Sequence, residues 1–191
     1  MKNCITALVV LLISLSTNAQ DIFEKGMEAY ESKNYHLAIG LFTQVIDAEG
    51  ESEPISTAYN FRGEAYHNLQ DYTKAYEDYT KAIEINSEYA LAYQNRATLH
   101  EHWFDYPKAM PDYDKSIELN PQFELAYFNR ASLKWRMKDL EGALADYNKM
   151  LTDFNANDTE VIGYVERIKA EMGVVDNSIS KSPIEEDPVV D

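Results

Sequence analysis

The sequence predicts an all-α fold, a right-handed superhelical solenoid of four helical hairpins closed by a C-terminal capping helix. Two observations carry this expectation. LAYQNRATL at residues 91–99 returns as LAYFNRASL at 125–133, an interval of 34. Within each interval small and apolar residues recur three and four places apart, which puts them on one helix face. Periods between about 20 and 50 residues mark units that bury their apolar faces only by stacking.

The elements follow in order. The first copy is the loosest, with Gly26, Ala38 and Phe42 each 37 residues before Gly63, Ala75 and Tyr79. The extra residues fall in EGESEPIS, where Gly50 and Pro54 predict a loop. In the second copy Tyr59, Gly63 and Tyr66 form one stripe, Ala75, Tyr79, Ala82 and Ile83 another, and LQDY breaks them. Gly63, Ala97 and Ala131 share a register, as do Ala75, Ala109 and Ala143. Small residues are needed there because larger ones would push the paired helix axes apart. Pro107 suits a first helical turn, whereas Pro111 predicts a kink or a loosened turn. Lys134, in the register of Tyr66 and His100, predicts a looser seam in the fourth unit. Leu69, Trp103 and Met137 recur just before the turn and read as packing between repeats. DTEVIGYVERIKAEMG at 158–173 predicts the cap, with Val161, Tyr164, Val165 and Ile168 facing inward. Residues 174–191 hold prolines, serines and acids without a period, which predicts a disordered acidic tail.

Arg62, Arg96 and Arg130 are followed sixteen residues later by Asp78, Asp112 and Asp146, whereas the first unit has Lys25 and Leu41 in those places. Partners that appear and vanish together predict an ion pair between the two helices of a unit. Repetition in successive units assigns it to the scaffold.

The period, with YNFRGEAY, YQNRATLH and YFNRASLK followed by DYTKAYEDYTKAIEIN and DYPKAMPDYDKSIELNP, resembles the tetratricopeptide repeat. The resemblance implies units at about 20–52, 56–89, 90–123 and 124–156 within a repeat domain spanning 21–173. It also implies a concave groove used for protein–protein interaction. Members that grip a chaperone's C-terminal carboxylate use Lys and Asn on one first helix, Asn on the next, and Lys plus Arg on the third. Asn95 matches the middle position, but Asn60 and Glu64 stand where Lys and Asn are expected, and Leu125 and Asn129 where Lys and Arg are. That clamp is missing, so chaperone-tail docking does not carry over.

The first twenty residues read as a signal peptide: basic Lys2, an apolar run from Ile5 to Leu15, then small Thr17 and Ala19 before the cleavage point. The expectation is an exported protein, periplasmic or secreted, of a Gram-negative envelope, without stable membrane insertion after cleavage. The lone cysteine, Cys4, precedes the apolar run, so neither a lipid anchor nor a disulfide is expected.

A formal charge of −16 argues against nucleic acid and anionic membranes as partners. His36, His67, His100 and His102 show no metal-ligand spacing, and there is no phosphate loop or nucleophile elbow, so neither a metal, a cofactor nor catalysis is expected. The binding candidates are residues between the packing stripes: Phe61, Phe128 and Trp135 as aromatic anchors, Asn60, Asn95 and Asn129 as donors to a partner's backbone, and His102, Arg136 and Met27 beside them. The three aromatics do not recur in other units, so the stack itself does not demand them. The expected function is a non-catalytic adaptor holding a peptide or protein in its groove. The alternative is a self-assembling envelope subunit that stacks through its first repeat.

Overall fold

The computed structural model describes residues 19–48 and 53–174, so all but residues 19 and 20 of the signal-peptide reading at 1–20, and all but residue 174 of the tail reading at 174–191, lie outside the described residues. The described helices are α1 (19–31), α2 (Tyr35–Ala48), α3 (Glu53–Asn68), α4 (Tyr72–Ile85), α5 (Ala90–His102), α6 (Tyr106–Leu119), α7 (Glu124–Arg136), α8 (Leu140–Asp153) and α9 (Thr159–Glu171). No strand occurs among the described residues, and no described helix is long and apolar enough to cross a membrane. Each helix packs on its chain neighbour, and the first helices α3, α5 and α7 also touch in succession, lining one face of the stack.

Turn chemistry explains where the hairpins break. Lys33, Gln70, Phe104 and Lys138 each take a left-handed φ between 60° and 68°. The following amide then reaches back five residues, as in Asp105 N to His100 O at 2.8 Å and Asp139 N to Lys134 O at 2.9 Å. That next residue starts the second helix: Asp71 accepts from Lys74 N, and Asp139 from Gly142 N. Between units, Asn86, Asn120 and Asn155 each accept from the amide two residues on, at 3.0–3.1 Å, forming Asx turns.

The repeated small residues close the helix pairs. Ala75, Ala97, Ala109, Ala131 and Ala143 are wholly buried, with Tyr79, Tyr113 and Tyr147 beside them. A Cβ on Gly63 would lie 2.8 Å from the Tyr79 ring, so this pair approaches closer than an alanine permits without a shift.

The three predicted ion pairs form, each two-pronged. Arg62 Nε and Nη2 donate to Asp78 at 2.8 and 2.7 Å, and Arg96–Asp112 and Arg130–Asp146 repeat the geometry at 2.7–2.9 Å. Each guanidinium also lies over the tyrosine three residues before it, Tyr59, Tyr93 or Tyr127, at 5.2–5.7 Å. The pair reaches beyond its own unit, since Arg62 donates to Thr43 and Arg130 to Asp114 of the preceding one.

Three sequence expectations need correction. Pro54 lies within the first turn of α3, where its missing amide is not needed, so the predicted loop ends before it. α6 runs unbroken through Pro111, an exposed position where water can serve the freed carbonyl. Lys134 does not loosen its seam: its Nζ donates to Asp146 at 2.9 Å and joins the Arg130 pair. Trp103 does pack between repeats, meeting Tyr76 of the preceding unit and His100 of its own edge-on, but it does so at the rim, where it stays 42% exposed.

Candidate functional site

Among the described residues the inner face carries two concavities separated along the stack. One is an open cleft of about 600 Å³ between α7 and α9, lined by Phe128, Ser132, Trp135, Arg136, Tyr147 and Tyr164 among others. Helical spacing puts Phe128, Ser132 and Trp135 on one side of α7. Phe128 meets Tyr147 and Tyr164 with ring centroids 5.9 and 5.7 Å apart, and Trp135 meets Tyr164 at 5.9 Å, all edge-on. Trp135 Nε1 donates to Glu171 Oε2 at 2.8 Å, and Lys138 donates to the other carboxylate oxygen. Those two donors hold the Glu171 carboxyl below its ordinary range, Lys138 more strongly than Trp135. The cap therefore covers one edge of Trp135 and leaves the cleft open. Arg136, at its rim, is exposed, pairs with Glu101 at 2.8 Å and lies over the Tyr106 ring.

The second concavity is a polar pocket of about 190 Å³ between α1, α3, α5 and α7. Glu64 sits in its wall, and Oε2 accepts from Tyr30 Oη at 2.8 Å. Its Oε1 accepts from Asn60 Nδ2 at 2.8 Å and from Asn95 Nδ2 at 3.1 Å. Asn95 also donates to Asn60 Oδ1, so the two amides interlock. Burial and the Glu64 charge push the Tyr30 hydroxyl up, keeping it a donor. Burial, then the neighbouring His102, lowers His67, which keeps its imidazole neutral beside the pocket.

The sequence-predicted residues thus divide. Phe128, Trp135 and Arg136 come together at the cleft, while Asn95 and Asn129 line the polar pocket. Asn60 is fully buried with its amide engaged, so it has no donor for a partner's backbone; Asn95 is engaged in the same network. Phe61 is a packing residue: it stacks on Phe42 at 6.0 Å and meets Phe23 and Tyr30 edge-on. Met27 belongs to the same cluster. His102 is exposed, with its ring 4.2 Å from Tyr72. Sequence reasoning missed Tyr164 and Glu171 as cleft walls and Glu64 as the centre of a network. Among the described residues no group of three potential metal ligands converges.

Paired helices stacked through repeated small residues define a helical-repeat solenoid. Family models described as tetratricopeptide repeat match residues 56–89, 90–123 and 125–152, together half of the chain, and the chain belongs to that family. It is similar to the translocon at the outer membrane of chloroplasts 64 from Pisum sativum, 35% identical over 77 residues. That match covers 40% of this chain and only 12% of the relative's length. The structure resembles the first TPR of Spaghetti (RPAP3) bound to HSP90 peptide SRMEEVD, with 24% identity and a TM-score of 0.60 over 64% of this chain and 95% of the other. It also resembles MamA, with 15% identity and a TM-score of 0.70 over 82% of this chain and 83% of that one.

Proposed function

We propose that the protein is an exported, non-catalytic adaptor that holds a peptide segment or partner protein against its inner face. The observation that carries this reading is the open cleft in which Phe128, Trp135 and Tyr164 present ring surface between α7 and α9. Aromatics supply large apolar contact at low cost in side-chain entropy, the property of interface anchors. Arg136 and Lys138 at the rim add donors. The likeness in fold to a domain bound to an HSP90 peptide supports peptide binding by such a stack. The missing carboxylate clamp argues against that particular peptide. Export rests on the Lys2, Ile5–Leu15 and Thr17/Ala19 order of the N-terminal residues.

The test is partner capture from the organism's own envelope extract with the protein and a Phe128→Ala/Trp135→Ala variant, at a temperature where both are folded. A partner held by the first and lost by the second supports the cleft. Equal capture places binding elsewhere. No capture, with a solution mass that rises with concentration, moves self-assembly to the front. Mass spectrometry of the purified protein's N-terminus tests export, and an intact Met1 would overturn it.

A further inference from the structure

The three buried aspartates have arginine partners, Glu101 has Arg136, and Glu171 has Lys138. Glu64 has three neutral donors, from α1, α3 and α5, and no cation among the described residues. A half-buried carboxylate fixed from three helices is preorganised to accept a further donor. Its surroundings favour a positive guest. Gln94, 4% exposed, lines the same pocket, and its buried Oε1 has no hydrogen-bond donor. Asn129 adds a further polar group, while Leu125, 48% exposed, supplies an apolar wall. No lysine or arginine lines the pocket, and His67 is held neutral by burial. At about 190 Å³ the space is below the range of about 300–1,000 Å³ usual for small-molecule sites and suits one side chain.

We infer that this pocket receives the ammonium or guanidinium group of a partner's lysine or arginine, with Glu64 as counter-ion and Leu125 against the aliphatic stem. The inference rests on the adaptor reading and gives it a chemistry: the partner presents a cationic residue to the middle of the groove. A chain of formal charge −16 attracts such partners at long range.

The experiment follows backbone amide shifts of the full chain on addition of N-acetyl-lysine methylamide, N-acetyl-arginine methylamide or the neutral N-acetyl-norleucine methylamide. Saturable shifts at Glu64, Asn95 and Leu125 are expected with at least one cationic probe, and about tenfold weaker binding of norleucine. Glu64→Gln keeps an oxygen for Asn60 and Asn95 and should weaken the cationic probes by a similar factor. Glu166→Gln, the same charge change on an exposed helix face, should leave them unaltered. Added salt should weaken only the cationic probes, a check that needs no variant. Norleucine binding as tight as that of both cationic probes, indifference to Glu64→Gln, or no shift with any probe overturns the pocket. If cation binding fails while capture still depends on Phe128 and Trp135, the adaptor stands without this specificity. If cations bind but capture is indifferent to the cleft, the pocket stands and the cleft falls.

Discussion

Trp135 donates its indole N–H to Glu171 across 2.8 Å, and this bond ties the first helix of the last hairpin to the capping helix. The cleft wall is therefore built by two elements that are not neighbours in sequence. Trp135→Phe keeps the ring edge against Tyr164 and removes only the donor. Amide exchange in α9 should quicken, while exchange in α3 to α6 stays as it was. Unchanged exchange in α9 would mean that its apolar face on Val161, Val165 and Ile168 alone holds the cap.

Phe61 and Phe128 look alike in sequence and differ in environment. Phe61→Ala should lower stability by about 2–4 kcal/mol, because its ring fills the space among Phe23, Tyr30 and Phe42. Phe128→Ala should cost less, since its ring borders an open cleft. Denaturant unfolding of the two variants decides this, and equal losses would contradict the assignment.

The hairpins and the arginine–aspartate pairs were legible because both repeat at a fixed spacing, and repetition separates scaffold from site without any coordinates. The same logic failed at Phe61. It does not recur, yet its cover comes from α1, whose offset of 37 residues hides which aromatics meet. Asn60 failed for a related reason: its partners Glu64 and Asn95 lie four residues on and in the next unit, and only one of those spacings belongs to a helix. Tyr164 was legible as an inward residue of the cap but not as a neighbour of Phe128 and Trp135, since no spacing links α9 to α7.

The middle ion pair is buried enough to matter. Arg96→Met leaves Asp112, 8% exposed, without its two donors and should cost about 3–5 kcal/mol. Arg96→Met/Asp112→Leu should recover most of that loss, because two apolar groups need no partner. Additive losses in the double variant would show that the pair is not coupled.

His100 makes stability depend on pH. Burial lowers its pKa below the usual histidine value, outweighing Asp112 and Asp105, which raise it, while Arg96 and Lys108 also lower it. Its Nδ1 has no partner. The unfolded chain therefore binds a proton more readily than the fold does. Stability is fully present above the ordinary value of about 6.5 and is lost as pH falls through the depressed one, by at most about 1.4 kcal/mol per pH unit. His67 is shifted in the same direction by burial and His102. His100→Tyr, the residue of the matching position Tyr66, should flatten the profile between about pH 7 and 5 in part, leaving the share of His67. An unaltered slope would exclude His100 as a source.

Phe104 occupies a position that suits another residue. It takes φ of 60° at the turn between α5 and α6, is 76% exposed, and meets only the edge of Tyr106 at 6.2 Å. The left-handed region costs a residue with a Cβ about 1–2 kcal/mol, whereas glycine enters it freely. Glycine's greater unfolded-state entropy takes back about 0.5–1 kcal/mol. Phe104→Gly should therefore stabilise the protein by about 0.5–1 kcal/mol and raise Tm by a few degrees. The same change at the buried seam residue Leu133 would do the opposite, because there a cavity replaces packed side chain. A lower Tm for Phe104→Gly would show that contacts of its exposed ring outweigh the backbone term.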